Sequence, residues 1–116
     1  MSVAVIWVSN LERSIAFYEA LFATKCDYAT DGFASVIGGG NEVLLHLLPE
    51  EYRAEPSYGE ANPIKPVFEV ASIHDARSAA SAQGGSLRDD SNTHGEWTYV
   101  DGTDPDGHII QVRQRG

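Results

Sequence analysis

The chain has a single cysteine, Cys26, among 116 residues, which excludes an internal disulfide and any zinc module built on cysteine pairs. No apolar run approaches the ~20 residues a helix needs to cross a bilayer, so no membrane partner is expected. The opening stretch MSVAVIWVSNLERS has no basic segment ahead of its short apolar one. It reads as a strand rather than a signal peptide, and the cytoplasm is the expected compartment. Positive charge is also scarce: eight Lys and Arg stand against seventeen Asp and Glu, for a formal charge of −9. A phosphate backbone would be repelled and no basic run offsets this, so nucleic acid is not an expected partner. The acidic balance serves solubility, or else marks a groove that attracts a cationic ligand. There is no nucleophile elbow, and Cys26 has no neighbouring base in sequence, which makes it an inert thiol.

What is present is a pattern that runs twice. Val3 to Val8 is a β-branched-rich strand. Ser9 and Asn10 then offer helix caps, with Glu12 placed to complement the helix dipole. Leu11, Ile15, Tyr18 and Phe22 recur at helical spacing, widened by Phe17 and Leu21, and predict an amphipathic helix over 11–22. Strands are expected over 26–30, 33–37 and 43–48, with a tight turn at Gly38-Gly39-Gly40-Asn41 between the last two. That glycine run lies between strands, not before a helix, so it is a hairpin and not a phosphate cradle.

After a Pro- and Glu-rich linker over 49–64, the order starts again. A strand over 67–70 precedes Ser72, a cap with Asp75 three residues on, and Ile73, Ala76 and Ala80 mark a second helix over 73–83, stopped by Gly84-Gly85. Strands follow over 86–88, 97–100 and 109–113, the last two joined by Asp104-Pro105-Asp106-Gly107, a tight turn. At an offset of 62 residues Val8 falls on Val70, Asn10 on Ser72 and Leu11 on Ile73. The repeat is one of pattern more than of letters, and pattern is what packing selects.

Val8-Ser-Asn-Leu-Glu-Arg-Ser-Ile-Ala-Phe-Tyr18 resembles the first strand-to-helix signature of the glyoxalase/bleomycin-resistance/extradiol-dioxygenase superfamily, the vicinal oxygen chelate proteins. Val67-Phe-Glu-Val70 with its Ala-rich helix resembles the same element of the second module. Asp104-Pro-Asp-Gly-His-Ile-Ile-Gln-Val112 resembles the closing hairpin. Together the three cover nearly the whole chain in the right order. The resemblance implies one α+β domain over 1–116, made of two βαβββ modules (1–48 and 65–116) that form a curved mixed-sheet cup. It also implies a homodimer in which the cups enclose ligand, and leaves open whether modules are exchanged between the subunits. The fold hosts isomerases, dioxygenases, thiol transferases and non-catalytic drug-sequestering proteins, so the site must decide the function.

In metal-dependent members the ligands sit on the first and fourth strands of each module. Matched motif by motif, those positions hold Val3, His46, Lys65 and Gln111 here. Valine donates nothing, a protonated lysine repels a dication, and one imidazole with one amide falls short of the three protein ligands a catalytic zinc keeps. Neither a metal nor any other cofactor is therefore expected. Strand alternation puts Trp7, His46, Lys65, Glu69, Gln111 and Arg113 on the face away from the helices, as a ligand cup requires, or as a solvated sheet face or dimer seam would. Trp97 and Tyr99 share a face of their strand, either stacking ligand or packing under a helix. His46 is either a hydrogen-bonded structural histidine or a catalytic one.

The expected function is metal-independent binding of a small molecule, an aromatic or cationic antibiotic for example, similar to the bleomycin-resistance branch. The alternative is an enzyme of the same fold, a glyoxalase-like lyase, isomerase or dioxygenase relative. His46 or Glu69 would then act as general base and Lys65 as electrostatic stabiliser.

Overall fold

The computed structural model describes residues 2–54 and 63–116. The centre of the linker, with Pro56 and Tyr58, lies outside the described residues. The first module runs β1 (Ser2–Val8), α1 (Leu11–Phe22), β2 (Cys26–Ala29), β3 (Phe33–Gly38) and β4 (Asn41–Leu47). The second runs β5 (Val67–Glu69), α2 (Ile73–Ala82), β6 (Ser86–Leu87), β7 (Asn92–His94), β8 (Trp97–Thr103) and β9 (Ile109–Arg115). The sheet orders correspond, β1-β4-β3-β2 and β5-β9-β8-β6, with β7 also on β8. In each, the first strand lies parallel to the last and the rest are antiparallel. The chain therefore has the two-module α+β architecture expected from its repeated pattern. None of the described helices is long and apolar enough to cross a membrane.

The helices begin and end for identifiable reasons. Asn10 accepts from the Arg13 N–H and Ser72 from the Asp75 N–H, each satisfying a first-turn donor that the helix leaves unpaired. Gly84, at φ +87°, closes α2 through a Gly85 N–H to Ala80 carbonyl bond. At the end of α1 the left-handed residue is not a glycine but Ala23, at φ +53°. The expected elements differ from the observed ones mainly at their ends. The 97–100 strand continues to Thr103, α2 stops at Ala82, and β7 was not anticipated; a 3-10 turn, Glu50–Tyr52, opens the linker.

One core runs through both modules on the helix side of the sheets. It includes Ile6 and Val8 of β1, Val36, Val43 and Leu45, then Phe68, Val100, Ile110 and Val112. Tyr18 and Phe22 of α1 meet Phe68 of β5 at 5.8 and 5.1 Å between ring centroids, so the first helix packs on the second module's strand.

Two polar pins hold the modules together, and they are related by the internal repeat. At the β3–β4 turn, Asn41 is buried, and its side-chain amide pairs with the backbone of Glu69, donating at 2.7 Å and accepting at 2.9 Å. At the β8–β9 turn, the buried Asp106 accepts from the Ser9 backbone N–H at 2.6 Å and the Ser9 hydroxyl at 2.7 Å, and pairs with Arg13. Each hairpin tip thus grips the strand-to-helix region of the other module. Asp104 in the second tip is also buried; it accepts from Tyr18 Oη at 2.9 Å, His108 Nδ1 at 2.8 Å and two backbone N–H groups. Asp-Pro-Asp-Gly reads as a turn signal, but both of its carboxylates work in docking.

Candidate functional site

The face of each sheet away from the helices is built by strand alternation. On β1, Ile6 and Val8 are buried while Val3, Val5 and Trp7 are 54%, 56% and 49% exposed. Register then aligns their neighbours: Trp7 pairs with His46, and His46 with Phe33. Trp7 stacks on His46 at 4.7 Å, Phe33 meets His46 edge-on at 5.0 Å, and Tyr28 lies 6.3 Å beyond Phe33. Four rings thus form a row across the first module's open face. Phe33 and Tyr28 were not among the sequence candidates; strand parity, which sets Phe33 on the face opposite the core residues Ala34 and Val36, carries the signal for Phe33.

The second module's open face is charged and internally paired. Asp101 sits opposite Gln111 in the β8–β9 hairpin. Its carboxylate accepts from Lys65 Nζ at 2.8 Å and from the Gln111 amide at 2.9 Å. The Lys65 hydrogen bond holds the Asp101 carboxyl below the usual carboxylate range, against a smaller opposing effect of burial and with help from Gln111. Asp101 escapes a sequence reading because Asp101-Gly102 looks like a strand terminator. Yet closure of the turn pairs Thr103 with Ile109 and so necessarily Asp101 with Gln111.

One row further along, Arg113 pairs with Glu69 at 2.6 Å, and its guanidinium lies 3.8 Å over the Trp97 ring. Arg115 approaches the same ring at 4.7 Å and pairs with Glu96. The hydrogen bond with Glu69, then that with Tyr99, raises the Arg113 pKa. Trp97 and Tyr99 therefore share the open face, with Val100 buried beneath the sheet.

Between the modules, a cavity of about 470 Å³ is lined by β1 residues including Val5 and Trp7, by Ile64, Lys65 and Pro66, and by His108 and Ile109. It brings Trp7 and Lys65 together. His46 reaches it only through the stack with Trp7, and Glu69 and Arg113 line a separate depression with Tyr99.

The family's usual metal positions do not fit a metal here. Val3 has no donor atom. His46 stacks on Trp7 and meets Phe33 edge-on, and both Lys65 and Gln111 are engaged by Asp101. Among the described residues no three His, Cys, Asp or Glu side chains converge on a point. His74 is exposed on α2, His94 is exposed on β7, and His108 is held by Asp104.

A two-module βαβββ chain with an open cup face defines a class of ligand-binding and metalloenzyme folds. Residues 1–112 match the family model of the Glyoxalase/Bleomycin resistance protein/Dioxygenase superfamily, and the chain belongs to that superfamily. Solved structures share the fold at low identity. A glyoxalase/bleomycin resistance protein from Albidiferax ferrireducens T118 is 19% identical with a TM-score of 0.75, covering 100% of this chain and 98% of its own. A glyoxalase/bleomycin resistance protein/dioxygenase family enzyme from Burkholderia phytofirmans PsJN is 17% identical with a TM-score of 0.72, covering 99% and 98%. The fosfomycin resistance protein FosX from Mesorhizobium loti is 19% identical with a TM-score of 0.67, covering 100% and 92%. No curated protein sequence matches the chain significantly.

Proposed function

We propose that this protein binds a planar aromatic small molecule in its cup without a metal ion, as a sequestering protein of the bleomycin-resistance type. The observation that carries this reading is the row Trp7, His46, Phe33 and Tyr28, whose Trp7 end lines a largely apolar cavity, together with the unsuitable donor set Val3, His46, Lys65 and Gln111 at the fold's metal positions. Aromatic rings offer broad contact area at low entropic cost, which suits a flat ligand more than a small polar substrate. That one structural neighbour is a fosfomycin resistance protein makes an antibiotic a natural class to screen. The cationic alternative draws support only from the net charge, and Lys65 in the cavity lining opposes it.

The enzyme reading is the weaker one. Glu69 is engaged by Arg113 and His46 lies in a ring stack, so neither is poised as a general base. Calorimetric titration with a panel of flat aromatic antibiotics, with and without chelator, tests the proposal. Micromolar binding that survives chelation, with less than a tenth of an equivalent of divalent metal by elemental analysis, is the expected result (about −8 kcal/mol at 1 µM). One equivalent of metal, with binding lost on chelation, would overturn it and favour catalysis.

A further inference from the structure

Lys65 occupies a position where metal-dependent members of this superfamily carry a ligand, and it is not a loose surface lysine. Its ammonium is held by Asp101 Oδ2 at 2.8 Å while Gln111 takes Oδ1 at 2.9 Å, so both carboxylate oxygens are used in fixing it. An ammonium has three donors, and one bond to Asp101 leaves donor capacity for a ligand oxygen. Its side chain is 31% exposed and lines a largely apolar cavity whose other polar side chain, His108, is held by Asp104. Arg88 acts on Asp101 only weakly and is itself paired with Asp90 at 2.9 Å, so the local charge a ligand meets is the Lys65–Asp101 pair, with the ammonium on the cavity side. A fixed cation in a largely apolar, partly enclosed site interacts more strongly with an anion than it would in bulk water.

We propose that the positioned Lys65 ammonium is the cup's anion-binding centre, and that the ligand is an aromatic carboxylate. Its ring lies against Trp7 and Val5, and its carboxylate caps the ammonium. The inference rests on the aromatic-cup reading above and narrows it to a ligand class. Asp101 and Gln111 are positioning residues in this arrangement, since they act on the ligand only through Lys65.

Three isosteric probes separate the two ideas: 2-naphthoate, the neutral 2-naphthalenemethanol and the cationic 2-naphthylmethylammonium, each titrated calorimetrically against the full chain at low salt. The expected result is naphthoate binding at least about fivefold tighter than the alcohol, with the ammonium weakest, as a charged hydrogen bond requires. In Lys65→Gln the preference for naphthoate over the alcohol should fall below about twofold, and Lys65→Arg should keep it above that level. A smaller preference in the wild-type chain, tighter binding of the cation, or a preference unchanged in Lys65→Gln would each overturn the inference while leaving the aromatic cup standing. Failure of all three probes to bind would overturn the cup reading and this inference with it.

Discussion

Trp7 and Ile6 are adjacent, and their fates are opposite. Ile6 is 7% exposed in the core, while the Trp7 indole is half exposed on the open face and stacked on His46. Ile6→Ala should cost roughly 2–5 kcal/mol of stability as a buried aliphatic truncation. Trp7→Ala should cost about 1 kcal/mol or less and weaken aromatic ligand binding instead. Urea unfolding and calorimetry on the two variants check this, and the reverse pattern would remove the strand parity on which the cup is drawn. Tyr18 supplies a second prediction. Burial first, and the Asp104 carboxylate next to it, push its pKa well above the usual tyrosine value. Below about pH 10 the phenol is protonated in both folded and unfolded chains and has no effect on the pH dependence. Above it the unfolded chain ionises while the folded one resists, so stability should fall as pH rises. The urea midpoint should drop between pH 9 and 11 in the wild-type chain. Tyr18→Phe should flatten that drop, at a constant cost of about 1–3 kcal/mol from the lost partner of Asp104.

At the scale of elements, both helices and most strands are legible because each has a local physical cause. Asn10 and Ser72 cap, the apolar residues recur at helical period, and Gly84 takes a left-handed conformation. What was not legible is long-range. Nothing in Gly38-Gly39-Gly40-Asn41 announces that Asn41 pairs with the Glu69 backbone 28 residues on, or that Asp106 reaches Ser9 across 97 residues. The candidate site divides the same way. Alternation places Trp7, His46, Lys65, Glu69, Gln111 and Arg113 on one face, but their pairing with Asp101, Trp97 and Phe33 depends on hairpin register. The two pins make a testable unit. Asn41→Ala removes the partner of a part-buried N–H and carbonyl of Glu69 and should cost about 1–3 kcal/mol. Asn92, exposed on β7, should tolerate the same change within about 0.5 kcal/mol. Thermal unfolding of the two variants reads the difference directly.

For the whole molecule, the unresolved tension is between a complete core and an incomplete cup. The helix side of both sheets is sealed by one apolar cluster, with Val8, Phe17, Tyr18, Val36, Val43, Leu45, Ile110 and Val112 essentially inaccessible. The other side leaves Val3, Val5, Trp7, Ile64 and Val67 between 38% and 80% exposed. Isolated exposed apolar residues are ordinary, but these cluster on β1, the edge of the first sheet, and on the segment leading into β5, the edge of the second. A ligand cavity left open on one side would hold a flat molecule weakly, because much of the ligand would stay in water. A second copy related by a two-fold axis would present the same strip to itself and cover both cups at once. The expected solution species is therefore a dimer of twice the 12.6 kDa chain mass. Light scattering at micromolar concentration measures it, and Val5→Glu, which sets like charges against each other across the axis, should shift the population to monomer while the far-UV circular dichroism stays native. A wild-type chain that remains monomeric at high concentration would leave the strip to the ligand alone, and the dimer would have to be abandoned.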